Sequence, residues 1–176
     1  SCISVRVVQM LLDHYTEGLL VQDTNGKTPL HLLFDVVLAQ QDMEWQRLLR
    51  NQLIRTDLDL RSGQAVPVYS PPRELVDLLL RCPDSETQRS AAHVEDEEGR
   101  LPLHAAVATG TSSEVIQTLI QSYPTALVHT TEETLQTPLH TALASPFIAP
   151  LQNEANISML LQAYVTSRHG TFVNGK

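Results

Sequence analysis

The sequence predicts an all-α fold of repeated helical modules stacked in a row, and three observations predict it. One phrase occurs three times: Thr28-Pro29-Leu30-His31-Leu32-Leu33, Leu101-Pro102-Leu103-His104-Ala105-Ala106 and Thr137-Pro138-Leu139-His140-Thr141-Ala142. A second, apolar phrase recurs out of phase with it. Val7–Tyr15 aligns with Val115–Tyr123, 108 positions on; Ile157–Tyr164 repeats it, and Leu75–Cys82 does so more loosely. Both phrases share one period. Pro102 and Pro138 lie 36 residues apart, Pro29 and Pro102 lie 73 apart, close to two such steps, and 108 is three. Units repeating at a fixed period of this size bury their apolar faces on one another.

The first phrase has the chemistry of a helix start. Thr28 and Thr137 stand where an N-cap hydroxyl accepts a bond from a free backbone N–H of the first turn. Pro29, Pro102 and Pro138 fall at the first helical position, where a missing N–H costs nothing and the fixed φ suits the helix. Leu30, Leu103 and Leu139 then face the core, each contributing about 1.5–3 kcal/mol on burial. Ahead of two phrases, Asp23-Thr24-Asn25-Gly26 and Asp96-Glu97-Glu98-Gly99 place Gly three residues before Pro, which suits a tight turn with positive φ. Thr109-Gly110-Thr111-Ser112 reads as the connection between two helices, with Ser113 capping the second and Glu114 in its first turn.

This phrase, Thr-Pro-Leu-His-x-Ala in its fullest form, resembles the ankyrin repeat. The resemblance implies a helix–turn–helix unit, an all-α solenoid of stacked antiparallel helix pairs, and a projecting turn, or finger, ahead of each first helix. It also implies that His31, His104 and His140 hydrogen-bond the Thr hydroxyl and neighbouring backbone, tying adjacent units together. The chain departs from the family pattern in three places. Leu101 replaces the capping Thr, at a cost on the order of 1 kcal/mol. Leu135 stands where Gly is expected, in a turn (131–136) one residue longer than its counterpart. Pro124, rather than Gly, closes the second helix of its unit.

The expected domain covers 3–166. A half-unit spans 3–22, with its helix at about 5–15. The unit 23–95 has helices at 29–39 and 73–82, the unit 96–130 at 102–109 and 113–122, and the unit 131–166 at 138–144 and 154–165. The segment 40–72 is either an insertion between two helices of one unit or a decayed repeat around Gly63–Tyr69. Pro71 and Pro72, where a first helix would run, favour insertion. Within it, Trp45, Leu48, Leu49, Gln52 and Leu53 follow helical spacing over 42–55. That helix either pads the flank of the stack or docks a partner through Trp45, the only tryptophan.

Composition excludes several function classes. A net charge of −8 with no Lys/Arg stripe argues against nucleic acid. No apolar run approaches the ~20 residues of a membrane span, and no signal peptide opens the chain. Cys2 and Cys82 show no ligand spacing, which makes a reducing interior the easier context, and the ankyrin resemblance implies the cytoplasm as the default compartment. Gly-rich phosphate loops, Gly-x-Ser-x-Gly, Cys-x-x-Cys and His-Glu-x-x-His are all missing from the sequence. The three repeated histidines recur one per unit, which makes them structural rather than convergent on a metal. Glu95-Asp96-Glu97-Glu98 lacks the alternation of a calcium loop and reads as a solvated finger tip. Both ends read as cut from something larger, since the helix at 5–15 is a second helix without its first.

The last ten residues, 167–176, resemble a late strand-turn segment of forkhead-associated domains. Only ankyrin-like sequence precedes them, so no complete phosphothreonine site is expected and the segment reads as an extended or disordered tail.

The resemblance implies a non-catalytic protein–protein interaction module, without metal or cofactor, acting as a monomer or as part of a larger chain. The partner-binding residues it implies are Thr24, Asn25, Lys27, Glu97, Glu98, Arg100, Glu133 and Gln136 on the fingers, and Leu32, Ala105 and Thr141 after the repeated histidine. Trp45 joins them from the insertion. The acidic fingers call for a partner with a basic surface. The alternative is a regulatory segment of a larger enzyme or channel whose catalytic part lies outside this chain.

Overall fold

A computed structural model describes residues 5–50, 70–81, 90–144 and 150–172, without the side chains at 41, 42, 44–50, 150–153 and 168–172. The regular elements among them are α-helices and short 3₁₀ turns, with no strand. The helices are α1 (Val5–Leu12), α2 (Pro29–Arg50), α3 (Arg73–Leu79), α4 (Pro102–Ala108), α5 (Ser113–Ser122), α6 (Pro138–Ala144) and α7 (Pro150–Phe172). The 3₁₀ turns cover Thr16–Leu19, Ala91–His93 and Pro124–Val128.

Helices pack as pairs in two rows. The members of the pairs α2 and α3, α4 and α5, and α6 and α7 touch. Across pairs, α2 contacts α4 and α4 contacts α6, while α1 contacts α3, α3 contacts α5 and α5 contacts α7. One core runs between the rows, with Leu30, Phe34, Leu75, Val76, Leu101, Leu103, Ile116 and Leu119 all buried in it. Leu101 explains how the second phrase dispenses with its Thr: the side chain that forfeits a cap is itself fully buried, a gain of the same order as the loss.

Several boundaries differ from those the sequence suggests. Prolines 29, 102 and 138 open their helices as expected. However, α2 runs on through Arg50 instead of stopping near 39. The helix sought over 42–55 is its continuation up to Arg50, and 51–69, including Gly63–Tyr69, lies outside the described residues. The N-cap of α5 is Ser112, not Ser113, which is the first helical residue. Ser112 is held from the neighbouring pair, its backbone N–H donating to Ser70 Oγ at 3.2 Å. The last helix is longer than expected at both ends, and its C-terminal part corrects the reading of the tail. Residues 167–172 are helical, neither the extended or disordered tail expected nor a strand and turn as in forkhead-associated domains; 173–176 lie outside the described residues.

Polar ties also cross between pairs. Asn156 occupies the place in the second phrase held by Val115, yet it is fully buried. Its Nδ2 donates to the Thr111 carbonyl at 3.1 Å and its Oδ1 accepts from Ser113 Oγ at 3.0 Å. Ser70 Oγ lies 2.8 Å from Thr111 Oγ1. The 109–112 connection is thus bonded to the pair before it and the pair after it.

Leu135 adopts φ 52°, in the region where Gly26 (71°) and Gly99 (70°) sit in the other two fingers. An L side chain there costs about 1–2 kcal/mol, and this one is 69 % exposed, so packing offsets little of it. Leu135→Gly is expected to stabilise the fold by about 0.5–1 kcal/mol after the greater chain entropy of Gly is subtracted. A urea midpoint that falls on this substitution would show that the Leu side chain holds the turn.

Candidate functional site

Three fingers precede the first helices, and each is closed by its own first side chain. Asp23 Oδ1 accepts from the N–H groups of Asn25 (2.8 Å) and Lys27 (2.9 Å). Asp96 Oδ1 accepts from those of Glu98 (3.0 Å) and Arg100 (2.9 Å). In the third finger Thr131 Oγ1 takes this part, accepting from the Gln136 N–H at 3.1 Å. A short acceptor mimicking a backbone turn is what Asp and Thr supply. Asp96 therefore corrects the reading of the acidic run as wholly solvated: it is buried and anchored. Burial pushes its carboxyl up, but the N–H and guanidinium of Arg100 outweigh burial and hold it below the ordinary 3.8. Backbone N–H bonds from Lys27 and Asn25 likewise lower Asp23.

Adjacent fingers lie in backbone contact. Glu97 N–H donates to the Asn25 carbonyl, and Glu132 N–H to the Glu98 carbonyl, both at 3.1 Å. The glycines make this approach possible. A Cβ on Gly26 would stand 2.8 Å from the Glu97 nitrogen, and one on Gly99 would stand 2.9 Å from that of Glu132.

Histidines fasten the pairs below. His31 Nε2 donates to the Arg100 carbonyl of the next unit at 3.0 Å, and His104 Nε2 donates to the Gln136 carbonyl at 3.2 Å. A carbonyl can only accept, so Nε2 carries the proton and Nδ1 is the acceptor. His31 Nδ1 takes the Thr28 N–H at 3.3 Å and lies 2.9 Å from Thr28 Oγ1. The Thr hydroxyl thus bonds the imidazole instead of the helix N–H expected from the sequence. His104 Nδ1 takes the Leu101 N–H at 3.2 Å. His140 repeats the local half, 2.7 Å from Thr137 Oγ1, but is exposed. Burial lowers the pKa of His31, and it lowers that of His104 to about 4. The three imidazoles serve separate junctions, and no group of three metal-ligating side chains occurs among the described residues.

Six of the residues singled out in the sequence converge. Glu98, Arg100, Ala105, Glu133, Gln136 and Thr141 line one groove of about 230 Å³ between the second and third fingers, over α4 and α6. Arg100 is engaged there, 2.9 Å from Asp96 Oδ2 and 3.2 Å from Glu98 Oε2. Glu97 is exposed on the second finger, outside the groove lining. Thr24, Asn25 and Leu32 are exposed on the first finger and α2. Lys27 is tied down instead, with its Nζ 2.6 Å from Asp35 on α2. Trp45 lies on α2, and its side chain is outside the described set.

A second cleft, about 600 Å³, was not foreseen. It is lined by Leu20, Gln22, His93, Val94, Glu95 and Tyr123. The His93 and Tyr123 rings sit 4.1 Å apart, and Gln22 Nε2 is spent on the Gly26 and Glu95 carbonyls at 2.6 and 2.8 Å. No sequence expectation marks it: five of its six lining residues lie between the repeated phrases, and Tyr123 stands at the very end of the apolar one. In comparisons with known proteins, no family model and no curated protein matches the chain.

Proposed function

We infer that the chain is an ankyrin-type interaction module that binds a protein partner through its fingers and the groove beneath them, without catalysis. One observation carries the reading. The fingers are locked in register by main-chain bonds, one of them between Asn25 and Glu97, and by glycine contacts, while the side chains of Thr24, Asn25, Glu97 and Glu133 at their tips are exposed. A rigid frame with free polar tips offers a preorganised surface, which lowers the entropic cost of association. The tips are acidic, with Glu97, Glu98, Glu132 and Glu133 all exposed, so the partner is basic. The groove adds an apolar floor, Ala105 and Ala108, between the acidic walls.

Ionic strength tests this reading. Binding of a lysine-rich peptide, followed by calorimetry, is expected to weaken at least several-fold between about 50 mM and about 500 mM salt, as the Debye length shrinks from above 10 Å to a few ångströms. A dissociation constant that does not move with salt would refute the basic-partner assignment.

A further inference from the structure

We propose that the groove between the second and third fingers is a slot for one long basic side chain of the partner, its stem on Ala105 and Ala108 and its charge between Glu98 and Glu133. This deepens the reading above and rests on it. The argument comes from comparing equivalent positions of two units. In the first unit, the positions matching Ala105 and Ala108 are Leu32 and Asp35, and the position matching Arg100 is Lys27. There, Asp35 draws Lys27 down across the helix in an ion pair of 2.6 Å, and Leu32 adds its bulk beside them. That unit supplies its own cation. In the second unit both side chains are reduced to methyl groups, and the cation, though it lines the groove, is already paired: Arg100 is held by Asp96 and by Glu98.

What remains is a cavity with a methyl floor and polar walls. Thr134 and Thr141 contribute hydroxyls to it, and Glu133 has no cation within salt-bridge distance among the described residues. Its volume, about 230 Å³, is below the roughly 300–1,000 Å³ of small-molecule sites. Lysine and arginine bury an aliphatic stem and keep the charged end at a polar rim. With two carboxylates against one already paired guanidinium, the lining favours a cation. In the first unit the corresponding positions hold a cation already, as the Lys27–Asp35 ion pair.

The probe is a hexalysine peptide, with hexaglutamine as the uncharged control, added to the whole chain in about 50 mM salt. The amide resonances of Ala105 and Ala108 are expected to shift with hexalysine and stay put with hexaglutamine. Ala105→Leu, which installs the residue the first unit already tolerates, is expected to weaken hexalysine about tenfold, and Glu133→Gln several-fold. Binding with unmoved Ala105 and Ala108 amides, or with Ala105→Leu within twofold of the parent, would overturn the slot and leave the basic-partner reading standing. No binding of hexalysine at all would overturn both. The shift measurement uses the unsubstituted protein, so it decides the matter even where a variant folds poorly.

Discussion

Phe34→Ala is expected to cost about 3–5 kcal/mol of stability, and Leu143→Ala less than about 0.5 kcal/mol. The two residues hold the same position just after the repeated phrase, four places beyond its Leu, as does Val107. Phe34 and Val107 are 0 % exposed, whereas Leu143 is 65 % exposed. Residue type would rank all three as core. Neighbours decide otherwise, because α2 has α4 beside it and α4 has α6, while no further first-row helix follows α6 among the described residues. The second phrase behaves alike at the other end: Val115 and Leu119 are buried, and their counterparts Val7 and Leu11 are 55 % and 65 % exposed. Urea unfolding of the two variants side by side checks the contrast. Equal losses would mean that burial at this position comes from within the unit and not from stacking.

The second large effect is a loss of stability in mild acid. His104 has an ordinary pKa of 6.5, which burial lowers to about 4 in the fold, with the His129 charge acting the same way and the Gln136 carbonyl opposing. Between those values the unfolded chain binds a proton that the folded chain refuses, so unfolding takes up protons and stability rises with pH. The contribution is therefore complete above 6.5 and is lost as pH falls toward 4. A displacement of this size corresponds to roughly 3 kcal/mol. His31 is lowered by burial too and adds in the same direction. Asp96, held below 3.8, acts in a separate window: its contribution is present above that value and lost at lower pH.

The structural cause is specific. Protonation would place a hydrogen on Nδ1 facing the Leu101 N–H at 3.2 Å, donor against donor. The urea midpoint is expected to drop between about pH 7 and about pH 4.5, and His104→Gln should flatten much of that slope while lowering the plateau. A midpoint independent of pH over this interval would contradict the burial of His104 as a neutral imidazole.

Much of the helical framework was legible because proline is unambiguous: Pro29, Pro102 and Pro138 each open a helix. The reach of α2 to Arg50 was not: the expected end near 39 stops the helix just before Gln40-Gln41-Asp42. That stretch keeps no apolar face, yet it consists mostly of good helix formers and contains no Gly or Pro, and propensity suffices. At the site, charge was misleading in two directions. Asp96 looked like part of a solvated run but serves as the turn's internal acceptor, a role visible in retrospect from Asp23 at the same place. Lys27 looked like a free contact but is spent on Asp35, eight residues on, a partner that only the fold brings near. Leu135 was recognisable as an anomaly from the missing Gly, and the positive φ is its physical form.

The fingers divide labour between positions that never trade places. Asp23, Gly26, Asp96, Gly99 and Thr131 shape and join the turns through main-chain atoms, while the side chains between them are left uncommitted to that task. Substitutions at those side chains are therefore expected to change the charge and shape of this surface one residue at a time without a toll on the architecture beneath it.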